Sequence, residues 1–127
     1  GGLVAITAEP LMPSPLAAIL IGAVGGIIVV YGTKFLLSLK IDDVVGAIPA
    51  HLFAGIWGTL AVPITNPDTN FGAQLLGVIS INAFVFIVSL IVWAIMKNTI
   101  GIRLSKEGEL KGTDVTETGV IAYAIRD

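Results

Sequence analysis

Asp42-Asp43-Val44-Val45-Gly46-Ala47-Ile48-Pro49-Ala50-His51-Leu52-Phe53-Ala54-Gly55-Ile56-Trp57-Gly58-Thr59-Leu60 is apolar and long enough to cross a lipid bilayer, and it carries the chain's single histidine near its middle. An ionisable side chain at that depth is costly. It is retained chiefly where it faces a cavity, a partner or a transport path, so His51 is a candidate functional residue on physical grounds alone. The competing reading is a buried histidine bonded to a neighbouring carbonyl. In an apolar channel the neutral imidazole is the favoured form, and it donates from one nitrogen while accepting at the other. That suits the handing of a proton or a hydrogen bond to a small amine. Helical spacing sets Ala47, Ala54 and Gly55 on or beside the His51 face, which makes the adjoining wall small and non-polar. Such a wall passes a small neutral molecule more easily than a hydrated ion. Asp42 and Asp43 stand just ahead of the run. Adjacent residues at a helix start point in different directions and no further ligand lies near, so a helix-capping role is favoured over a carboxylate pair or metal site.

Outward from this stretch the chain alternates apolar runs with short polar breaks. Glu9-Pro10-Leu11-Met12-Pro13-Ser14-Pro15 ends any helix begun by Gly1–Ala8, leaving the tail of a preceding span followed by a loop. Residues 15–38, 44–62 and 71–96 are then three complete candidate spans, each near the roughly 20 residues that the hydrocarbon core requires. In the first, Ala18, Gly22 and Gly26 recur every fourth residue and predict a close helix approach. In the second, Pro49 is expected to remove one helical hydrogen bond just before His51, and Pro63 to end the helix. The third has no charge, and its Ser80, Asn82 and Ser89 suit interhelical hydrogen bonds. Beyond Lys97 the composition turns polar, and Asp114 with Glu117 has capping-box spacing, which predicts a short helix through Ala122 or Tyr123.

The composition agrees with this layout. Of 127 residues 55% are hydrophobic and only 13% charged, with a mean hydropathy of +0.95, where soluble domains run near a quarter charged. No cysteine is present, which removes disulfides and thiolate metal sites. The glycines at 22, 25 and 26 lie inside a span and do not read as a nucleotide loop. No nucleophile has a base beside it, so the sequence offers neither an enzyme site nor a cofactor site. A net charge of −2 with seven Lys and Arg gives no dense basic patch for nucleic acid. Those seven all fall toward and beyond the end of the first span, or at and beyond the end of the third. The positive-inside rule then puts that side, with the carboxyl tail, in the cytoplasm. The start at Gly1-Gly2, without a methionine, suggests a piece of a longer polypeptide.

Asp-Asp-x-x-Gly-Ala-Ile-Pro-x-His-x-x-x-Gly-Ile-Trp-Gly-Thr-Leu-Ala from Asp42 onward resembles the penultimate membrane helix of the ammonium transporter (Amt/Mep/Rh) family. Gly2-Leu3-Val4-Ala5-Ile6-Thr7-Ala8 looks like the end of that family's eighth helix, Tyr31 to Ile41 and the residues before it like its ninth, and Gly72 to Met96 like its eleventh. Gly112-Thr113-Asp114-Val115-Thr116-Glu117-Thr118-Gly119-Val120-Ile121-Ala122-Tyr123 is similar to its cytoplasmic tail, with Thr118 where a histidine is common. The resemblance implies an all-α, polytopic transmembrane helical bundle, part of an eleven-helix transporter fold, with residues 1–97 in the membrane domain and 98–127 in a cytoplasmic tail. It implies a homotrimer in the cell (plasma or inner) membrane that transports ammonium or ammonia, with His51 the second of two pore histidines. The first histidine, the phenylalanine gate and the outer ammonium site would belong to the remainder of the transporter chain, upstream of Gly1. It further implies tail regulation involving Asp114, Thr116, Gly119 and Tyr123, Thr116 matching a regulatory phosphothreonine of plant members, with a PII-type nitrogen-signalling protein as a possible partner. The alternative from another class is a membrane-embedded ammonium sensor using the same core.

Overall fold

The computed structural model describes residues 1–122, and these are helical, with no strand among them. The elements are α1 (Gly2–Ile6), α2 (Pro15–Ser38), a wide π-helical turn (Ile48–Phe53) running directly into α3 (Ala54–Thr65), α4 (Phe71–Thr99), α5 (Lys106–Lys111) and a second π turn (Asp114–Thr118). Among the described residues three stretches are long and apolar enough to cross a membrane: Pro15–Ser38, Ile48–Thr65 and Phe71–Thr99. Two compact units are present, Gly1–Ala83 and a second beginning at Phe84.

Local chemistry explains the boundaries. Ser14 caps α2, its hydroxyl oxygen accepting from the Ala17 N–H with Pro15 in the first turn, where a missing N–H does no harm. Asn70 caps α4 by accepting from Gly72 and Ala73 at 2.7 and 3.2 Å. Two expectations about the second span are corrected. It begins at Ile48 rather than Val44, so Pro49 lies in the first turn and interrupts no hydrogen bond. It also continues through Pro63 to Thr65. A proline in a last turn gives up only its bond to the carbonyl four residues back, here that of Thr59. The third span runs three residues past Met96. Asn98 and Thr99 donate back to the Ala94 and Ile95 carbonyls, and Gly101 at φ +81 stops the helix by giving its N–H to Met96.

In the first unit α1 is wedged between α2 and α3. The core gathers Ala5, Ile21 and Ala61, with Ile6 and Trp57 packed against it. Trp57 satisfies its indole N–H on the Ile21 carbonyl at 3.0 Å while its ring packs, as an amphipathic aromatic should when half-buried. Close approach depends on glycine. A Cβ at Gly58 would lie 2.3 Å from the Ala5 carbonyl oxygen, one at Gly25 would lie 2.7 Å from Ala5 Cβ, and one at Gly32 would lie 2.7 Å from the Phe53 ring. The contact stripe of α2 therefore runs through Gly25 and Gly32, whereas Gly26, expected on that face, meets nothing within 4 Å. The loops without Lys or Arg are tied together by Glu9, whose carboxylate accepts from the Asn66 side-chain amide at 2.8 Å. None of the residues of α4 is buried. Many of its apolar side chains, among them Phe84, Phe86, Leu90 and Trp93, are more than half exposed.

The second unit ends in a small folded tail. Ser105 caps α5, Gly112 at φ +103 ends it, and the Thr116 hydroxyl donates to the Gly108 carbonyl at 3.2 Å. The helix expected from Asp114 onward is only one wide turn, because Gly119 takes a left-handed conformation at φ +69. The α5 turn preceding it was not foreseen from the sequence.

Candidate functional site

The His51 ring sits on the π turn that leads into α3, a wide-turn geometry that is rare and often found at functional positions. Asp43 builds this start. Its two carboxylate oxygens accept from the Ala47 and Ile48 N–H groups at 2.9 and 2.7 Å, while Gly46 turns the chain at φ +68. Asp43 thus satisfies otherwise free helix donors and places an anion at the positive end of the dipole. Asp42 is exposed and makes no hydrogen bond through its side chain among the described residues.

Beyond the cap, α3 presents two faces. Ala54, Gly58, Ala61 and Val62 are buried, with Gly58 and Ala61 against α1 and the core it forms. His51, Leu52, Gly55, Ile56 and Thr59 instead face a cleft of about 240 Å³, whose other wall is Gln74, Gly77, Val78, Ile81 and Asn82 of α4. His51 is exposed to this space, and neither ring nitrogen bonds to another described residue. It is neither boxed into the core nor held by a backbone carbonyl. Of the four residues expected to share its path, the structure brings His51 and Gly55 together on the cleft. Ala54 is fully buried in the helix packing, and Ala47 lies at the exposed approach to the helix. The displacement has a local cause. The wide turn advances fewer degrees per residue than an α-helix, so regular 3.6-residue counting across Ile48–Phe53 misplaces neighbours before and after it. Sequence reasoning did not place Gln74 and Thr59 here. A polar side chain in an otherwise apolar span was the available signal.

With that geometry in place, the comparisons with known proteins are decisive. The profile of the Ammonium Transporter Family matches residues 1–123. The chain belongs to the ammonium transporter family. It is 38% identical to the ammonium transporter Amt2 of Archaeoglobus fulgidus over 96% of this chain and 30% of that relative. It is 34% identical to Amt1 of the same organism over 96% and 34%, and 32% identical to the ammonium transporter of Bacillus subtilis over 96% and 34%. The chain therefore spans about a third of the length of these ammonium transporters. Family membership and the three apolar helices together make it a multi-pass membrane protein.

The tail residues singled out by the ammonium transporter resemblance form their own cluster. Asp114 closes it by accepting from the Ala122 N–H at 2.8 Å. That bond, with a second from the Val115 amide, holds its carboxyl below the usual aspartate range. Thr116 joins the turn to α5, and Gly119 terminates it. Tyr123 lies outside the described residues. Arg103 and Glu109 form a bidentate pair at 2.5 and 3.2 Å. The pair's hydrogen bonds keep the glutamate below its ordinary value and the arginine above its own.

Proposed function

We propose that this chain is the carboxyl-terminal part of an ammonium transporter and that His51 lines the path taken by ammonia through the membrane. The observation that carries this is the one histidine of the chain, in the opening wide turn of a helix apolar and long enough to cross a membrane, facing a cleft otherwise lined by apolar groups and a few neutral polar ones. A neutral imidazole there offers a small amine one donor and one acceptor, and the apolar surroundings raise the barrier for a hydrated ion. Three curated relatives are named as ammonium transporters, which favours transport over a sensor built on the same core.

The wider arrangement follows from that reading. Residues 1–97 form part of the membrane domain and 98–127 a cytoplasmic tail, a disposition supported by the one-sided distribution of Lys and Arg. The unburied apolar surface of α4 suits lipid and the remaining helices of the transporter. Assembly as a homotrimer in the cell membrane, and regulation through Asp114, Thr116, Gly119 and Tyr123, with a PII-type protein as partner, rest on the family likeness of the tail.

The test is His51→Ala in the complete transporter, with methylammonium uptake measured in a strain lacking other ammonium carriers. Uptake is expected to fall at least tenfold while folding and assembly persist. Undiminished uptake by a folded protein removes His51 from the path.

A further inference from the structure

We infer that Gly32 of α2 is a positioning residue for His51: the notch it leaves seats the wide turn and so sets where the imidazole stands. The close approaches at Gly25 and Gly58 are both made to Ala5 of α1. Gly32, itself buried, instead receives the turn that carries the histidine. A Cβ there would lie 2.7 and 3.2 Å from Phe53 Cδ2 and Cε2 and 3.0 Å from Pro49 Cβ, and the Pro49 side chain is wholly buried. With roughly four residues per turn, Pro49 and Phe53 share one face of the helix, and His51, two residues from each, points the opposite way. The exposure of His51 on the side away from α2 agrees with that placement.

Because no described residue bonds to the ring, the backbone of the turn alone sets its place. Asp43 holds the start of that turn through the Ala47 and Ile48 N–H groups. Within it the Ala54 N–H reaches back to the Pro49 carbonyl, a five-residue step that is rare in helices. The seat on α2 holds the rest. Filling the notch with one methyl group would drive Phe53 and Pro49 off by about 0.5–1 Å. The Phe53 ring can swing aside, but Pro49 Cβ is fixed to its backbone, so part of the movement passes into the turn and carries His51 away from α2. A displacement on that scale costs about tenfold to a hundredfold where a small molecule must meet a group in a fixed geometry.

This inference rests on the transport reading of His51. The test uses the complete transporter reconstituted in lipid vesicles, with methylammonium uptake measured per folded molecule and thermal unfolding followed in detergent. Gly32→Ala, Phe53→Leu and the two combined are each compared with His51 present and with His51→Ala. Gly32→Ala overfills the notch and is expected to lower uptake about tenfold. Phe53→Leu underfills it and is expected to lower uptake less, while the combination, which nearly restores the volume, should recover most of the loss. In the His51→Ala background neither substitution is expected to lower the residual uptake further, because a residue that acts through the imidazole then has nothing left to position. Equal losses in both backgrounds assign Gly32 to general packing and overturn the inference, as does wild-type uptake by Gly32→Ala. If His51→Ala is itself unimpaired, the transport reading falls instead. Should Gly32→Ala not fold, Phe53→Leu decides alone: a loss confined to the protein that retains His51 supports the inference, and a loss in both backgrounds or in neither overturns it.

Discussion

Replacing Gly58 with alanine adds one methyl group where the structure leaves no room, and the consequence can be worked through atom by atom. The new Cβ would stand 2.3 Å from the Ala5 carbonyl oxygen and 2.8 Å from both Ala5 C and Cα. These are backbone atoms, so no side-chain rotation relieves the clash. Restoring ordinary contact requires α1 to retreat by about 1 Å. Its retreat is blocked by α2, since the Ala5 methyl already occupies the space that a Cβ on Gly25 would need, at 2.7 Å. Overpacking of this kind costs about 1–3 kcal/mol and occasionally more. Alanine in a helix gains about 1 kcal/mol over glycine, which would obscure the measurement if Gly58→Ala were read alone. Gly55 supplies the control. It lies on the same helix, collects the same propensity gain, and its added Cβ would meet only Val4 Cγ1 at 3.8 Å. The difference between Gly58→Ala and Gly55→Ala should therefore be about 1–3 kcal/mol, read by reversible unfolding of the complete transporter in detergent micelles. Equal stability of the two variants would refute the claim that α1 is wedged against the α3 backbone.

Asp43→Ala removes two charge-assisted hydrogen bonds at the start of the His51 helix and should cost about 1–2 kcal/mol in the same unfolding assay. The Asp42→Ala variant should stay within about 0.5 kcal/mol of wild type, and comparable losses at both positions would contradict the assignment of the cap to Asp43. In the tail, the Glu109 carboxyl titrates below the ordinary glutamate value because its charged form accepts from Arg103. The stability this pair contributes is therefore present above the ordinary carboxyl range and is lost as pH falls through the depressed value. An NMR titration should show the Glu109 carboxyl returning toward its ordinary value in Arg103→Gln, and an unchanged titration would dismiss the pair.

Much of this arrangement was readable from residue order because a bilayer imposes simple rules. An unbroken apolar run of sufficient length becomes a helix, a proline and asparagine cluster becomes a loop, and basic residues collect on one side. The α2 span matched at both ends for that reason, since Ser14-Pro15 is an unambiguous start. A carboxylate cap at Asp42 or Asp43 was legible for the same local reasons, and the structure puts it on Asp43. The tail was less so, because α5 and the turn after it are too short for periodicity to register and depend on Gly112 and Gly119 at positive φ.

By itself the sequence determined the all-helical class, the three stretches long and apolar enough to cross a membrane, and the family, because these follow from apolar length and from a motif contiguous along the chain. Only the tertiary structure decided which small residues touch and which line open space. The wide turn at Ile48–Phe53 rotates every later side chain of its helix, sending Ala54 into the packing and leaving Gly55 on the cleft. The reversal of the chain at 66–70 sets Gln74 and Asn82, distant in sequence, on the same cleft as His51. No count of 3.6 residues per turn could have supplied the rotation, because the angular step changes where the hydrogen bonds lengthen from four residues to five.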